Sequence, residues 1–171
     1  AGDGVVVPAL IRQMTQGLAR PGAIHAGATS QDVMDTALVL TLRDVAQVLT
    51  SDLAALVEAL DRLNARHGGA RMMGRTRMQA ALPIAAQTRI NAWRNPLRAA
   101  QQDLAHVSAR TFRLQLGGAV GDAAALGADA GAVAASLGRT LNLPVADACW
   151  HSDRSSLVLF SGWLMQVTGA L

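Results

Sequence analysis

The feature that most constrains the fold is a long helical pattern over residues 30–66. Apolar residues recur there at alternating steps of three and four, which predicts a coiled-coil-like seam along one helix face. The seam comprises Leu38, Leu42, Val45, Leu49, Leu56 and Leu63. Thr29 and Asp32 form a T-x-x-D start signal, and residues 67–69 (HGG) end the pattern. Because helices in compact domains average about 12 residues, this length indicates a bundle of long helices.

The rest of the chain carries shorter helical patterns. Helices are predicted over residues 8–19, 84–113 and 122–141, and from Ser152 or Asp153 onward. The seam of the last helix comprises Phe160, Trp163, Val167 and Leu171. Pro96 predicts a kink or break near Asn95, and residues 72–83 read as an irregular segment with a buried start. The chain is 51% hydrophobic but only 3% aromatic, which favours close-packed helices over sheets. We therefore predict an all-α fold, an elongated bundle of long helices.

Charge and cysteine content exclude several classes of protein. All fifteen basic residues are arginine, the formal net charge is +3, and the arginines are scattered along the chain. A nucleic-acid-binding surface needs a basic stripe with aromatic platforms, which this composition lacks. No apolar run reaches the roughly 20 residues of a membrane span, and residues 1–4 do not resemble a signal peptide. With Cys149 as its single cysteine, the chain is expected to be cytoplasmic. Its mild positive charge fits a small anionic substrate.

The first motif with chemical content is HAGATSQD at residues 25–32. It places the hydroxyls of Thr29 and Ser30 at the start of the long helix, where free backbone N–H groups and the helix dipole favour an anion. Gln31 adds a further donor. From the local chemistry alone, a helix cap without a ligand is the alternative interpretation.

Three further motifs follow along the chain. They are GRTRMQAALP at residues 74–83, LQLGGAVG at 114–121 and WHSDR at 150–154. Glycines allow the backbone to approach a ligand closely, although a glycine-rich turn alone is weak evidence. The guanidinium of Arg154 can bind a carboxylate with two parallel hydrogen bonds, or it can form an ion pair at a helix start.

Together and in this order, the motifs resemble the fumarase/aspartase superfamily. The first two are similar to its H-x-G-x-T-S-x-D-x-x-D-T and G-R-T-x-x-Q-x-A-x-P segments. The last two are similar to the QFGGAAGT turn and the PWHTQRDR stretch of its carboxymuconate cycloisomerases, and residues 2–8 to GNPVIPL. The resemblance covers the chain from end to end. Gln31, Trp150 and His151 point to the cycloisomerase branch.

The resemblance implies a site without a metal or an organic cofactor. It implies catalytic roles for His25 and His151. The implied substrate-binding residues are Thr29, Ser30, Gln31, Arg75, Thr76, Gln79, Gln115 and Arg154. The superfamily takes its base, a serine, from a G-S-S-x-M-P-x-K-x-N-P loop that has no counterpart in these residues.

Three positions depart from the superfamily pattern, namely Arg77, Asp122 and Asp153. Many superfamily lyases carry a histidine at the position of Arg77. A C–N lyase gains from a general acid, whereas muconate lactonisation uses the substrate's own carboxylate as attacking and leaving group, and that group needs no proton. The implied reaction is therefore the interconversion of 3-carboxy-cis,cis-muconate and its lactone in protocatechuate (β-ketoadipate) catabolism. The alternatives are an adenylosuccinate- or argininosuccinate-type lyase that releases fumarate, and an inactive helical oligomerisation fragment or degenerate paralogue.

The resemblance also implies an organisation. Residues 1–20 would end an N-terminal helical domain, and residues 21–171 would form part of a central bundle that is truncated at its C-terminal end. The expected assembly is a homotetramer whose active sites are shared between subunits, with a dicarboxylate or tricarboxylate as substrate.

Overall fold

The structure is a computed structural model that describes residues 4–171, so the start of the 2–8 motif lies outside the described residues. Five α-helices and one two-stranded sheet occur among them. They are α1 Val7–Thr15, α2 Ser30–His67, β1 Arg71–Thr76, β2 Gln79–Ala85, α3 Ala86–Thr111, α4 Ala130–Leu141 and α5 Ser155–Ala170. The predicted helical fold class is confirmed. The chain divides into two compact units, the first formed by residues up to 44 with 109–157 and the second by 45–108 with 158–171.

The bounds of α2 agree with the sequence to within one residue. The backbone N–H of Thr29 donates to Asp32 Oδ2 at 2.9 Å, which is the contact that the T-x-x-D signal predicts. At the other end the N–H of Gly68 donates to Asn64 O at 2.8 Å, and a Cβ on Gly68 would lie 2.5 Å from that oxygen. Glycine is therefore required where the helix stops.

The predicted seam of α2 has the right period but the wrong phase. Leu38, Val45, Leu56 and Leu63 are 37% to 40% exposed. The buried residues of α2 lie on a neighbouring face of the helix, and they are Val39, Ala46, Leu53 and Val57. Because α2 carries apolar residues on more than one face, spacing alone does not identify the face that packs within the chain.

The prediction of an irregular segment at residues 72–83 was wrong, since these residues belong to an antiparallel hairpin. Met72 pairs with Ile84 and Thr76 with Gln79. Arg77 and Met78 form a two-residue turn with φ of 44° and 67°, the left-handed values that such hairpin turns require. The predicted buried start is also wrong, because Met72 and Met73 are 39% and 48% exposed. The turn lacks the usual Asn-Gly or Asp-Gly pair, so the sequence carried little hairpin signal.

The remaining helices agree with the predictions in existence and differ at their ends. Helix α1 ends at Thr15, four residues before the predicted end. Helix α3 continues through Pro96, so the predicted break does not occur. Leu97 and Ala100 beside the proline are 2% and 0% exposed, and this burial offsets the lost backbone hydrogen bond.

Helix α4 starts later than predicted because Gly127, with φ of 67°, interrupts the helical backbone after a 3₁₀ segment at Ala124–Asp129. Helix α5 starts at Ser155, whose N–H donates to Asp153 Oδ1 at 2.9 Å. A side-chain cap therefore sets the start of this helix.

Each unit has its own core. Val39, Leu114, Leu143 and Trp150 form the buried cluster of the first unit. In the second unit Trp163 Nε1 donates to Ala100 O at 2.8 Å, and the Phe160 and Trp163 rings lie 5.5 Å apart. Phe160, Trp163 and Val167 are buried as predicted, whereas Leu171 is exposed.

Within residues 4–171, no helix combines the length and the apolar character needed to cross a membrane.

Candidate functional site

The carboxylate of Asp32 joins three of the four motifs in the first unit. Its Oδ1 accepts the N–H of Gly117 at 2.9 Å and lies 2.7 Å from His151 Nε2. Its Oδ2 accepts the N–H groups of Gly118 and Thr29, each at 2.9 Å. Asp32 is 3% exposed, and backbone donors compensate the burial of its charge. Segments more than eighty residues apart in sequence thus meet at one side chain.

The glycine-rich turn fits against this carboxylate only because it lacks side chains. Gly118 has φ of 69°, and a Cβ there would lie 2.9 Å from the carbonyl oxygen of Gly27. A Cβ on Gly117 would lie 2.9 Å from Cys149 Cβ and would overlap the thiol. The turn therefore packs between the loop of the first motif and Cys149. Its first two N–H groups are occupied by Asp32 rather than open to a substrate.

A second carboxylate, Asp35, lies one helical turn along α2. Arg154 donates to its two oxygens at 2.7 and 2.9 Å, and Gln31 Nε2 donates to Oδ2 at 3.2 Å. Burial alone would raise the pKa of Asp35. The hydrogen bonds from Arg154 and Gln31 and the arginine charge outweigh that effect, so its pKa lies below the ordinary value. Gln31 also donates to His151 O at 2.8 Å.

Gln115 is 1% exposed and connects the glycine-rich turn to the fourth motif. Its Oε1 accepts the N–H of Trp150 at 3.1 Å, and its backbone N–H donates to Thr36 Oγ1 at 3.2 Å. Trp150 Nε1 in turn donates to Leu114 O at 3.1 Å. The guanidinium of Arg154 lies 5.5 Å from the centre of the Trp150 ring, in a cation–π contact. The side chains of Gln31 and Arg154, together with Oε1 and the backbone N–H of Gln115, are thus engaged in holding the frame of the site.

The hydroxyls of Thr29 and Ser30 have no hydrogen-bond partner among residues 4–171. Both residues are half-buried. They lie at the N-terminal end of a helix 38 residues long, where the dipole and unpaired N–H groups favour an anion. These hydroxyls are the donors that remain available beside the Asp32 carboxylate.

His25 precedes these hydroxyls in the same loop. Its backbone has φ of 65°, which is uncommon for a residue with a side chain. Its Nε2 is buried without a partner in the described part of the chain. A buried, unpaired imidazole nitrogen in a left-handed loop is a feature that often marks a functional residue.

The second motif lies in the second unit. Arg75, Thr76 and Gln79 are on the exposed hairpin at its turn, and Arg75 Nη1 donates to Met78 O at 3.4 Å. Arg77 occupies the first turn position itself. The candidate residues therefore form one group around Asp32 in the first unit and a second group at the tip of the hairpin.

Two departures from the superfamily pattern have local structural reasons. Asp122 Oδ1 accepts the N–H of Ala124 at 3.0 Å, at the start of the 3₁₀ segment. Asp153 Oδ1 accepts the backbone N–H of Ser155 at the start of α5, and hydrogen bonds from the hydroxyl and the backbone of Ser155 lower the pKa of Asp153. Both carboxylates are satisfied by nearby backbone, as is typical of helix caps.

Sequence reasoning did not find the long-range roles of Asp32 and Asp35. The T-x-x-D signal accounted for Asp32 as a helix cap, and nothing local indicated that it also binds the N–H groups of Gly117 and Gly118. The sequence did carry one signal for these contacts. Asp32 and Asp35 are three residues apart, and His151 and Arg154 further along the chain have the same spacing. In the described residues, no group of three or more His, Cys, Asp or Glu side chains is placed to hold a metal ion.

Known proteins resemble this chain in sequence and in fold. A family model described as lyase matches residues 6–171. The 3-carboxy-cis,cis-muconate cycloisomerase of Pseudomonas aeruginosa is 39% identical over 174 residues, which cover 100% of this chain and 38% of the relative. The chain thus spans about 38% of the length of this curated relative.

Solved structures show the same similarity. The 3-carboxy-cis,cis-muconate lactonizing enzyme from Pseudomonas putida superimposes with a TM-score of 0.89 at 36% identity, over 96% of this chain and 38% of that one. The beta-carboxy-cis,cis-muconate cycloisomerase from Acinetobacter calcoaceticus gives a TM-score of 0.93 at 28% identity, over 98% and 40%.

Proposed function

Because this chain belongs to the lyase family of the fumarase/aspartase superfamily, we propose that the complete protein is a 3-carboxy-cis,cis-muconate cycloisomerase. The reaction is the reversible closure of the tricarboxylate to its lactone. The observation that carries the proposal is the meeting of three motifs at Asp32, which leaves the Thr29 and Ser30 hydroxyls free at the start of α2.

The chemistry suits an anion site at a helix N-terminus. In the closing direction one substrate carboxylate oxygen forms a C–O bond to an alkene carbon, and a proton is added to the carbon next to another carboxylate. An acid of the site supplies this proton and is protonated again by water, so the substrate trianion becomes a lactone dianion and no oxidant, reductant or second substrate is needed. Negative charge develops on the carboxylate next to the protonated carbon, and the hydroxyls of Thr29 and Ser30 with the α2 dipole stabilise it.

The other candidate residues take two kinds of role in this proposal. Gln31, Gln115 and Arg154 hold the frame of the site and border the substrate. His25 and His151 supply polar ring nitrogens beside it. Arg75, Thr76 and Gln79 on the exposed hairpin approach the substrate from another subunit of a homotetramer. An exposed two-stranded hairpin and the exposed apolar residues of α2 are surfaces that such an assembly covers.

Arg77 supports a cycloisomerase over a fumarate-releasing lyase. It stands where a proton-donating histidine is found in many superfamily lyases, and it is an exposed turn residue here. Arginine stays protonated at all physiological pH values and is a poor general acid. A carboxylate leaving group makes no demand for such an acid.

A substrate panel tests the proposal on the complete protein. The loss of the conjugated diene absorbance of 3-carboxy-cis,cis-muconate reports lactone formation, and the product is identified by mass and proton NMR. Fumarate release is assayed in parallel from adenylosuccinate and argininosuccinate. We expect saturable lactonisation without fumarate release. Fumarate from either succinyl substrate, with no lactone formed, would favour the lyase alternative. Inactivity on all three substrates would favour a non-catalytic assembly module.

A further inference from the structure

The four hydrogen-bond contacts of Asp32 decide which ring nitrogen of His151 carries the proton. Three of the groups that face the carboxylate are backbone N–H groups, which can only donate. Both oxygens of the Asp32 carboxylate therefore already serve as hydrogen-bond acceptors, and Oδ1 faces His151 in the same role. The 2.7 Å contact between Oδ1 and Nε2 is therefore a hydrogen bond that His151 donates. The other neutral tautomer would place two lone pairs against each other at that distance.

The second ring nitrogen of His151 is left available. No hydrogen bond to Nδ1 is formed within residues 4–171, and Nδ1 is not among the buried polar atoms that lack a partner. The side chain is 15% exposed, so the ring is largely enclosed while this atom stays accessible. In the neutral Nε2–H tautomer, Nδ1 carries the lone pair and accepts a proton or a hydrogen bond.

The ring is also held from its own backbone. His151 O accepts from Gln31 Nε2 at 2.8 Å, and the N–H of the preceding Trp150 donates to Gln115 Oε1 at 3.1 Å. Hydrogen bonds thus hold the main chain just before and just after the His151 Cα, and the contact with Asp32 holds Nε2 of the ring. This arrangement restricts both the tautomer and the direction of Nδ1.

We propose that Asp32 is a positioning residue that holds His151 as the Nε2–H tautomer and thereby presents Nδ1 as a proton-accepting atom beside the substrate. The link to a reaction rests on the proposed function, whereas the tautomer does not. Asp32 touches no substrate in this account and acts through His151. The two N–H groups of the glycine-rich turn are withdrawn from substrate binding by the same carboxylate.

The tautomer is measured by ¹⁵N NMR of the complete protein labelled at histidine, at alkaline pH where the ring is neutral and without substrate. The His151 signals are assigned by their loss in His151→Gln. We expect a protonated Nε2 and an unprotonated Nδ1, and both neutral tautomers in Asp32→Asn, because an amide can face the ring with either a donor or an acceptor. An Nδ1–H tautomer in the wild-type protein would overturn the proposal, whatever its activity.

Two substitutions of His151 separate the role of Nδ1 from the role of the hydrogen bond between Nε2 and Asp32. A glutamine side chain at this position carries an amide N–H near the place of Nε2 and no acceptor at the place of Nδ1, whereas an asparagine side chain is too short to reach Asp32. In His151→Gln we expect the thermal midpoint to stay near the wild-type value, KM to change by less than about 3-fold, and kcat to fall by about 10²–10⁴-fold. His151→Asn is expected to lose thermal stability as well as kcat.

A merely structural His151 would give a different result. The glutamine amide would keep the hydrogen bond to Asp32, so the kcat of His151→Gln would stay within about 3-fold of wild type. That outcome would overturn the inference. If the wild-type protein forms no lactone, the proposed function is wrong. The ¹⁵N NMR spectrum still tests the tautomer of His151, because that measurement needs no substrate. The two failures are therefore distinguishable.

Discussion

Replacing Gly117 by alanine tests the packing that holds the glycine-rich turn against Asp32. The new Cβ would lie 2.9 Å from Cys149 Cβ and 3.1 Å from Gly121 Cα, and it would overlap the Cys149 thiol. Overpacking of this kind costs about 1–3 kcal/mol. The turn must also shift its N–H away from the charged oxygen of Asp32, and a hydrogen bond to a charged group contributes about 1.5–3 kcal/mol. Together these effects predict a loss of about 2.5–6 kcal/mol in the free energy of unfolding.

The assay is urea and thermal denaturation of the complete protein in a double-mutant cycle with Cys149→Gly, which removes both clashing side-chain atoms. We expect Cys149→Gly to recover about 1–3 kcal/mol in the Gly117→Ala background. Gly131→Ala is the matched control, because a Cβ there meets nothing within 4 Å, and it should stabilise α4 by about 0.5–1 kcal/mol. Simple additivity of Gly117→Ala and Cys149→Gly would refute the packing argument.

The Asp35–Arg154 pair and the hairpin turn give two further predictions. The pKa of Asp35 is lower in the folded protein, so its ionised form stabilises the fold above the unfolded pKa near 3.9, and this stabilisation is lost as pH falls through the lower folded pKa. Arg154→Gln should therefore lower the free energy of unfolding by about 1–2 kcal/mol at pH 7. In urea titrations its difference from wild type should shrink below about pH 4. A difference that stays constant with pH would show that the loss does not come from the pairing of Arg154 with ionised Asp35. Arg77 has a φ of 44°, which glycine adopts without the strain of about 1 kcal/mol that a residue with a Cβ carries. Arg77→Gly should therefore slow amide hydrogen exchange in the hairpin, whereas Arg77→Ala keeps the Cβ and should not. Equal protection in both variants would contradict the strain argument.

Local signals predicted most of the helical fold. The start of α2 was identified because Thr29 and Asp32 form a cap within four residues, and its end because Gly68 and Gly69 follow His67. The structure adds the reason, since a side chain at Gly68 would clash with Asn64 O. The hairpin could not be predicted in the same way. Its turn uses two residues with side chains, in a conformation that usually selects glycine or asparagine, and its strands lack regular alternation.

The sequence grouped the candidate site residues into four motifs but did not predict which of them contact one another. The motif at residues 25–32 located the free hydroxyls of Thr29 and Ser30, because a helix start is readable from local sequence. The same motif gave no indication that the Asp32 carboxylate binds Gly117, 85 positions away. Gln31 and Arg154 were predicted to bind substrate, and the structure engages both with Asp35. Which polar groups pair with one another depends on tertiary packing, which spacing along the chain does not encode.

The most direct test of the account is the kinetic effect of Ser30→Ala on lactonisation by the complete protein. Ser51→Ala is the matched control, since Ser51 is an exposed serine on the same helix α2. Loss of a hydrogen bond to a substrate carboxylate should lower kcat/KM by about 10–100-fold in Ser30→Ala, with an unchanged thermal midpoint, while Ser51→Ala behaves as wild type. Equal kcat/KM values for the two variants would show that the start of α2 does not bind the substrate.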